Sequence, residues 1–94
     1  MKRQVPVQIR WKPALKSAVP VYRQIVQYVC DKVSTGEWPI GTRLPSQRDL
    51  AAMLGVNRST VTSAMDELVS YGVVEGKRGA GAQIASNTWS LLLS

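Results

Sequence analysis

The chain has 94 residues, room for one domain and not for two. Twelve Lys and Arg against six Asp and Glu leave a net charge of +6, with no histidine and one cysteine. That inventory excludes Ser-His-Asp and Cys-His catalysis, any Cys/His zinc site and any intrachain disulfide. The chain therefore reads as a non-enzyme that holds no metal, and the lone thiol fits a reducing cytoplasm. No segment approaches the roughly eighteen apolar residues of a membrane span. The basic start, Met1-Lys2-Arg3, has no apolar run behind it and does not read as a secretory signal. A basic chain that is 45% hydrophobic can bury a core and meet an anionic partner: nucleic acid, a membrane surface or an acidic protein.

Residues 1–19 read as an N-terminal arm. Val5, Val7, Ile9 and Trp11 alternate with polar residues and proline, which hints at a short extended stretch, and Pro13 ends it. The expectation is a flexible leader, with pairing to a sheet edge or contact with a partner as the alternative. A helix follows Pro20: Tyr22, Ile25, Val26, Val29 and Val33 share one face, and Gly36 stops it. Cys30 lies within it as a small core filler. The segment 38–45, with two prolines and a glycine, cannot be helical throughout.

Pro45-Ser46-Gln47-Arg48-Asp49 announces a second helix, with Ser46 as N-cap and Asp49 placed to complete a capping box. Leu50, Ala51 and Leu54 form its apolar stripe, and Gly55 ends it. A third helix has Asn57 as its expected cap and Val61, Ala64, Leu68 and Val69 as its stripe, closing at Tyr71-Gly72. Two short strands, 73–75 and 82–85, then flank a glycine-rich loop, 76–81. This order predicts a mainly α fold with a small β-hairpin, a winged helix-turn-helix.

The chemistry concentrates at the turn. Asn57, Arg58, Ser59, Thr60 and Thr62 put hydrogen-bonding side chains at the positive end of the third helix. An arginine there can fork onto guanine O6 and N7, and the hydroxyls can reach phosphate or base edges. Arg48 lies off the apolar stripe of the preceding helix. The loop 76–81 lacks the Gly-Lys-Ser/Thr ending of a phosphate-binding loop and leads into a strand. A wing laying Lys77, Arg78 and Gly79 against DNA suits it better. The expected contact set is Ser46, Arg48, Asn57, Arg58, Ser59, Thr60, Thr62, Lys77, Arg78 and Gly79. A winged helix serving as a protein-interaction module for an acidic partner is the competing function. RNA binding is weaker, because no aromatic stacking platform is evident.

Three blocks carry a family resemblance: Pro-Val-Tyr-Arg-Gln-Ile (20–25), the box from Gly36 to Ala51 containing Gly-Thr-Arg-Leu-Pro-Ser-x-Arg, and Gly-Val-Asn-Arg-Ser-Thr-Val (55–61). With the ending at 71–81, they resemble the DNA-binding domain of the GntR family over about residues 20–85. The resemblance implies a bacterial, cytoplasmic transcription regulator that binds double-stranded operator DNA as a homodimer. It implies DNA contacts from Arg48, from Asn57 to Thr60, and from Arg78 and Gly79. Many relatives carry arginine at the position of Thr62. The opening at 20–25 and the stretch 87–92 look most like the MocR branch. In that branch a linker, here beginning at 86–94, leads to an aminotransferase-like domain that binds pyridoxal phosphate. No cofactor is expected in this chain itself, and the end at 91–94 reads as that of a fragment.

Overall fold

The computed structural model describes residues 7, 9–77 and 81–85. Three helices come first, α1 (Val21–Ser34), α2 (Gln47–Leu54) and α3 (Arg58–Ser70), then an antiparallel hairpin of β1 (Val74–Lys77) and β2 (Gly81–Ile84). This is the winged helix-turn-helix expected from the sequence.

Each boundary has a local cause. The Ser46 hydroxyl accepts from Asp49 N–H at 3.1 Å, so the expected cap of α2 is in place. The reciprocal bond of a capping box, Ser46 N–H to the Asp49 carboxylate, is not formed among the described residues. Gly55 turns left-handed (φ 69) and lets the chain enter α3 within three residues. Asn57 occupies the N-cap of α3, but its side chain makes no capping bond, so it caps by backbone conformation alone. At the far end Gly72 (φ 78) donates to the Val69 carbonyl and Val73 donates to the Leu68 carbonyl, the paired bonds of a Schellman motif. That motif turns the chain out of α3 and into β1.

The core is one cluster. Ile25, Val26, Val29, Cys30 and Val33 of α1 meet Leu50 and Leu54 of α2 and Val61, Ala64, Met65 and Leu68 of α3. Val73, Val74, Ala82 and Ile84 close it from the hairpin. In α3 the stripe differs from expectation: Met65 is buried and Val69 is 48% exposed. At about 100° per residue, Val69 falls roughly a quarter turn from the centre of the stripe, whereas Met65 lies about half that angle from it.

Two further expectations are corrected. The first strand extends through Gly76 and Lys77 and the second begins at Gly81, so the connection is shorter than the loop 76–81. Nor are residues 9–14 part of a leader detached from the core. Ile9 and Pro13 are buried, Val7 N–H donates to the Arg43 carbonyl, and Trp11 stacks on Tyr28 of α1. Gln24 fastens the end of this stretch through both ends of its amide, accepting from Ala14 N–H and donating to the Ala14 carbonyl.

The segment between α1 and α2 contributes a third element to the sheet. Thr42 O accepts from Ile84 N–H, Leu44 N–H donates to Ala82 O, and Arg43 bridges Gln83 antiparallel. Thus β2 is flanked on one side by β1 and on the other by 42–44. The wing is thereby tied to the segment that leads into α2.

Candidate nucleic-acid interface

The helix-turn-helix gathers most of the expected contact residues at adjoining helix starts. Ser46 is the N-cap of α2 and Arg48 its second residue; Asn57 is the N-cap of α3 and Arg58 its first residue. Ser46, Arg48, Asn57, Arg58 and Ser59 are exposed, and Thr60 and Thr62 are half-buried. Neither arginine has an ion-pair or hydrogen-bond partner among the described residues. Each guanidinium, with no partner among the described residues, has five N–H donors to offer.

The charge pattern along α3 is graded. Its first turn holds Arg58 and no acid, and Asp66 and Glu67 come two turns later. Glu67 is engaged there with Tyr71, whose hydroxyl donates to it at 2.8 Å and is raised in pKa by that bond. The negative charge thus sits at the end of α3 away from the exposed arginine. The helix dipole reinforces this grading, since its positive end coincides with Arg58.

Beside the first turn of α3, an open groove of about 210 Å³ is lined by Val21, Tyr22, Ser59, Thr60 and Ser63. It joins the start of α1 to the start of α3 with a rim of hydroxyl groups. The exposed large apolar residues, Leu15, Val19, Ile40, Val69 and Tyr71, do not include any in the first turn of α3. A polar surface with an uncommitted arginine suits phosphate and base edges, and it lacks the apolar anchors of a protein-docking face.

Thr62 differs from its neighbours. Its hydroxyl donates to Gln47 Oε1 at 2.7 Å and lies 3.1 Å from the Arg58 carbonyl, so it is occupied within the fold. Gln47 itself is absent from the expected set; the signal that could have found it is its place at the start of α2, between Ser46 and Arg48. Lys77 is the last residue of β1. Arg78 and Gly79 lie outside the described residues.

Residues 21–84 match the family described as bacterial regulatory proteins, gntR family. The chain belongs to this family. The similarity extends to individual GntR relatives. YisV of Bacillus subtilis strain 168, described as an uncharacterized HTH-type transcriptional regulator, is 55% identical over 83 residues, 88% of this chain and 17% of that protein. Among solved structures, YtrA from Sulfolobus acidocaldarius, described as a GntR-family transcription factor, superposes with a TM-score of 0.76 at 36% identity. That match covers 87% of this chain and 86% of the other. The N-terminal domain of AraR, solved in complex with the mutant ORR3, superposes with a TM-score of 0.69 at 26% identity, covering 74% of this chain and all of that one. The fold is therefore that of GntR winged-helix DNA-binding domains, and the chain spans about a sixth of YisV, the curated relative it matches at 55% identity.

Proposed function

We propose that this chain is the part of a cytoplasmic transcription regulator that binds double-stranded operator DNA sequence-specifically. The observation that carries the reading is the pair of uncommitted, exposed arginines, Arg48 and Arg58, at the adjoining starts of α2 and α3. In this reading the first turn of α3 enters the major groove and Arg58 forks onto a guanine. Arg48, Ser46, Asn57, Ser59 and Thr60 hold the neighbouring backbone and groove edge. Lys77, Arg78 and Gly79 lay the wing on flanking phosphate. Residues 20–85 act as the DNA-binding domain, 1–19 as its arm and 86–94 as the start of a linker. Full-length protein binds as a homodimer, matching a two-fold operator.

The finer assignment within the family is the MocR branch. It draws on the resemblance of residues 20–25 and on the size of YisV, of which 83 residues are 17%, a length near 490. That length leaves room for a large further domain. Among the described residues, Lys12 and Lys16 are exposed and Lys32 is paired with Glu37, so none of these three is a buried amine suited to holding pyridoxal phosphate. Purifying the full-length gene product and assaying it for copurifying pyridoxal phosphate tests the branch; a short product without the cofactor contradicts it.

Selection of bound sequences from a random duplex pool tests the DNA reading. A defined motif that competes against bulk DNA is the expected result. Recovery of unenriched sequence, or of no DNA, contradicts it.

A further inference from the structure

Gln47 is the first residue of α2, between the exposed Ser46 and Arg48, and its side chain is half-buried. Thr62 Oγ1 on α3 lies 2.7 Å from Gln47 Oε1. Among the described residues this is the side chain–side chain hydrogen bond that joins the two helices of the turn. The Thr62 hydroxyl has one proton, and the shorter contact takes it; the approach to the Arg58 carbonyl, at 3.1 Å, is the longer. With Oε1 occupied, the amide is turned one way. Its Nε2, with two N–H donors, has no partner among the described residues.

We propose that Gln47 is a DNA contact, donating Nε2–H to a hydrogen-bond acceptor on the duplex, with Thr62 as the positioning residue that turns the amide. The inference rests on the proposed use of the α2–α3 face for DNA. A glutamine reads adenine by using both ends of its amide at N6 and N7. Here Oε1 already accepts from Thr62, which fixes the amide's orientation and leaves the Nε2 donors to meet an acceptor. Two sources present one: a phosphate oxygen, or a base edge such as guanine O6 and N7 or thymine O4.

The test compares variants of the chain by fluorescence anisotropy on the selected operator and on a random duplex. Gln47→Glu keeps an oxygen for Thr62 and removes the donor. Ala52→Glu, at an exposed position of α2, supplies the same charge as a control. Gln47→Glu should lose roughly tenfold more affinity than Ala52→Glu, with an unchanged melting temperature. Thr62→Val should lose part of that affinity alone and almost nothing on the Gln47→Glu background. Equal loss on both duplexes identifies phosphate as the acceptor, and loss confined to one operator base pair identifies a base edge. Gln47→Met, which removes the donor without adding charge, must fall at least as far as Thr62→Val. Equal losses for Gln47→Glu and Ala52→Glu, or a larger loss for Thr62→Val than for Gln47→Met, overturn the proposal. Failure of the unaltered chain to bind any duplex would instead refute the DNA reading beneath it.

Discussion

The Trp11 indole lies flat on the Tyr28 ring, with centroids 4.3 Å apart and planes 8° from parallel. Trp38 meets Tyr28 edge-on, with centroids 5.8 Å apart, and the Lys32 ammonium sits 5.3 Å from the same ring. One α1 residue therefore fastens both the N-terminal stretch and the segment after the helix.

That stacking makes a stability prediction. In a double-mutant cycle of Trp11→Ala and Tyr28→Ala, urea unfolding should give a coupling of about 0.5–1.5 kcal/mol beyond the separate losses. Strict additivity would mean that the ring pair contributes no more than its buried area.

Leu68 is fully buried, and Val69 beside it is 48% exposed. Leu68→Ala should cost roughly 2–5 kcal/mol, a large share of the stability of a domain this size. Val69→Ala should stay within about half a kcal/mol. Equal costs for the two would contradict the register of α3.

These elements also mark what could be read from sequence. The helices were legible because their information is local: Ser46, Gly55 and Gly72 punctuate them, and apolar residues recur at helical spacing. Val69 was misplaced because one residue beyond the stripe still fits a periodic pattern. Segment 42–44 is held by Ala82 and Ile84, some forty residues away, and Pro39, Gly41 and Pro45 disguise it as a loop. The alternation around Ile9 was visible, but its burial depends on a surface that α1 and the turn supply only once folded. At the two helix starts, the exposed placement of Arg48 and Arg58 followed from helix boundaries that the sequence marks. The Gln47–Thr62 bond did not, because it pairs residues fifteen apart on two helices.

Burial, with help from the Asp31 and Glu67 carboxylates, pushes the Cys30 thiol up from 9.0 to about 11. The folded state thus favours the neutral thiol over the thiolate. The associated stability is fully present below pH 9 and should be lost as pH rises from 9 toward 11. At neutral pH the folded thiol should resist iodoacetamide and react once urea unfolds the chain. Rapid alkylation of the native protein would place Cys30 outside the core.

Salt should govern affinity if phosphate contacts hold the complex. With about five to seven phosphates met per protomer, log K should fall against log salt with a slope near −5 to −6. Replacing Lys77 and Arg78 by alanine should flatten that slope by roughly one to two units, with similar loss on all sequences. An affinity insensitive to salt contradicts the DNA reading.

The most direct measurement is the affinity of Arg58 variants for the selected operator, for each single-base substitution of it, and for random DNA. Arg58 is exposed, follows the N-cap of α3 and has no partner within the fold among the described residues. Arg58→Ala should cost about 1–3 kcal/mol on the operator and relax preference at one base pair, with a much smaller loss on random DNA. Arg58→Lys should restore affinity more fully than specificity, because an ammonium lacks the planar fork. A uniform loss across all sequences, fully rescued by lysine, would make Arg58 a phosphate contact and contradict its role in reading the operator.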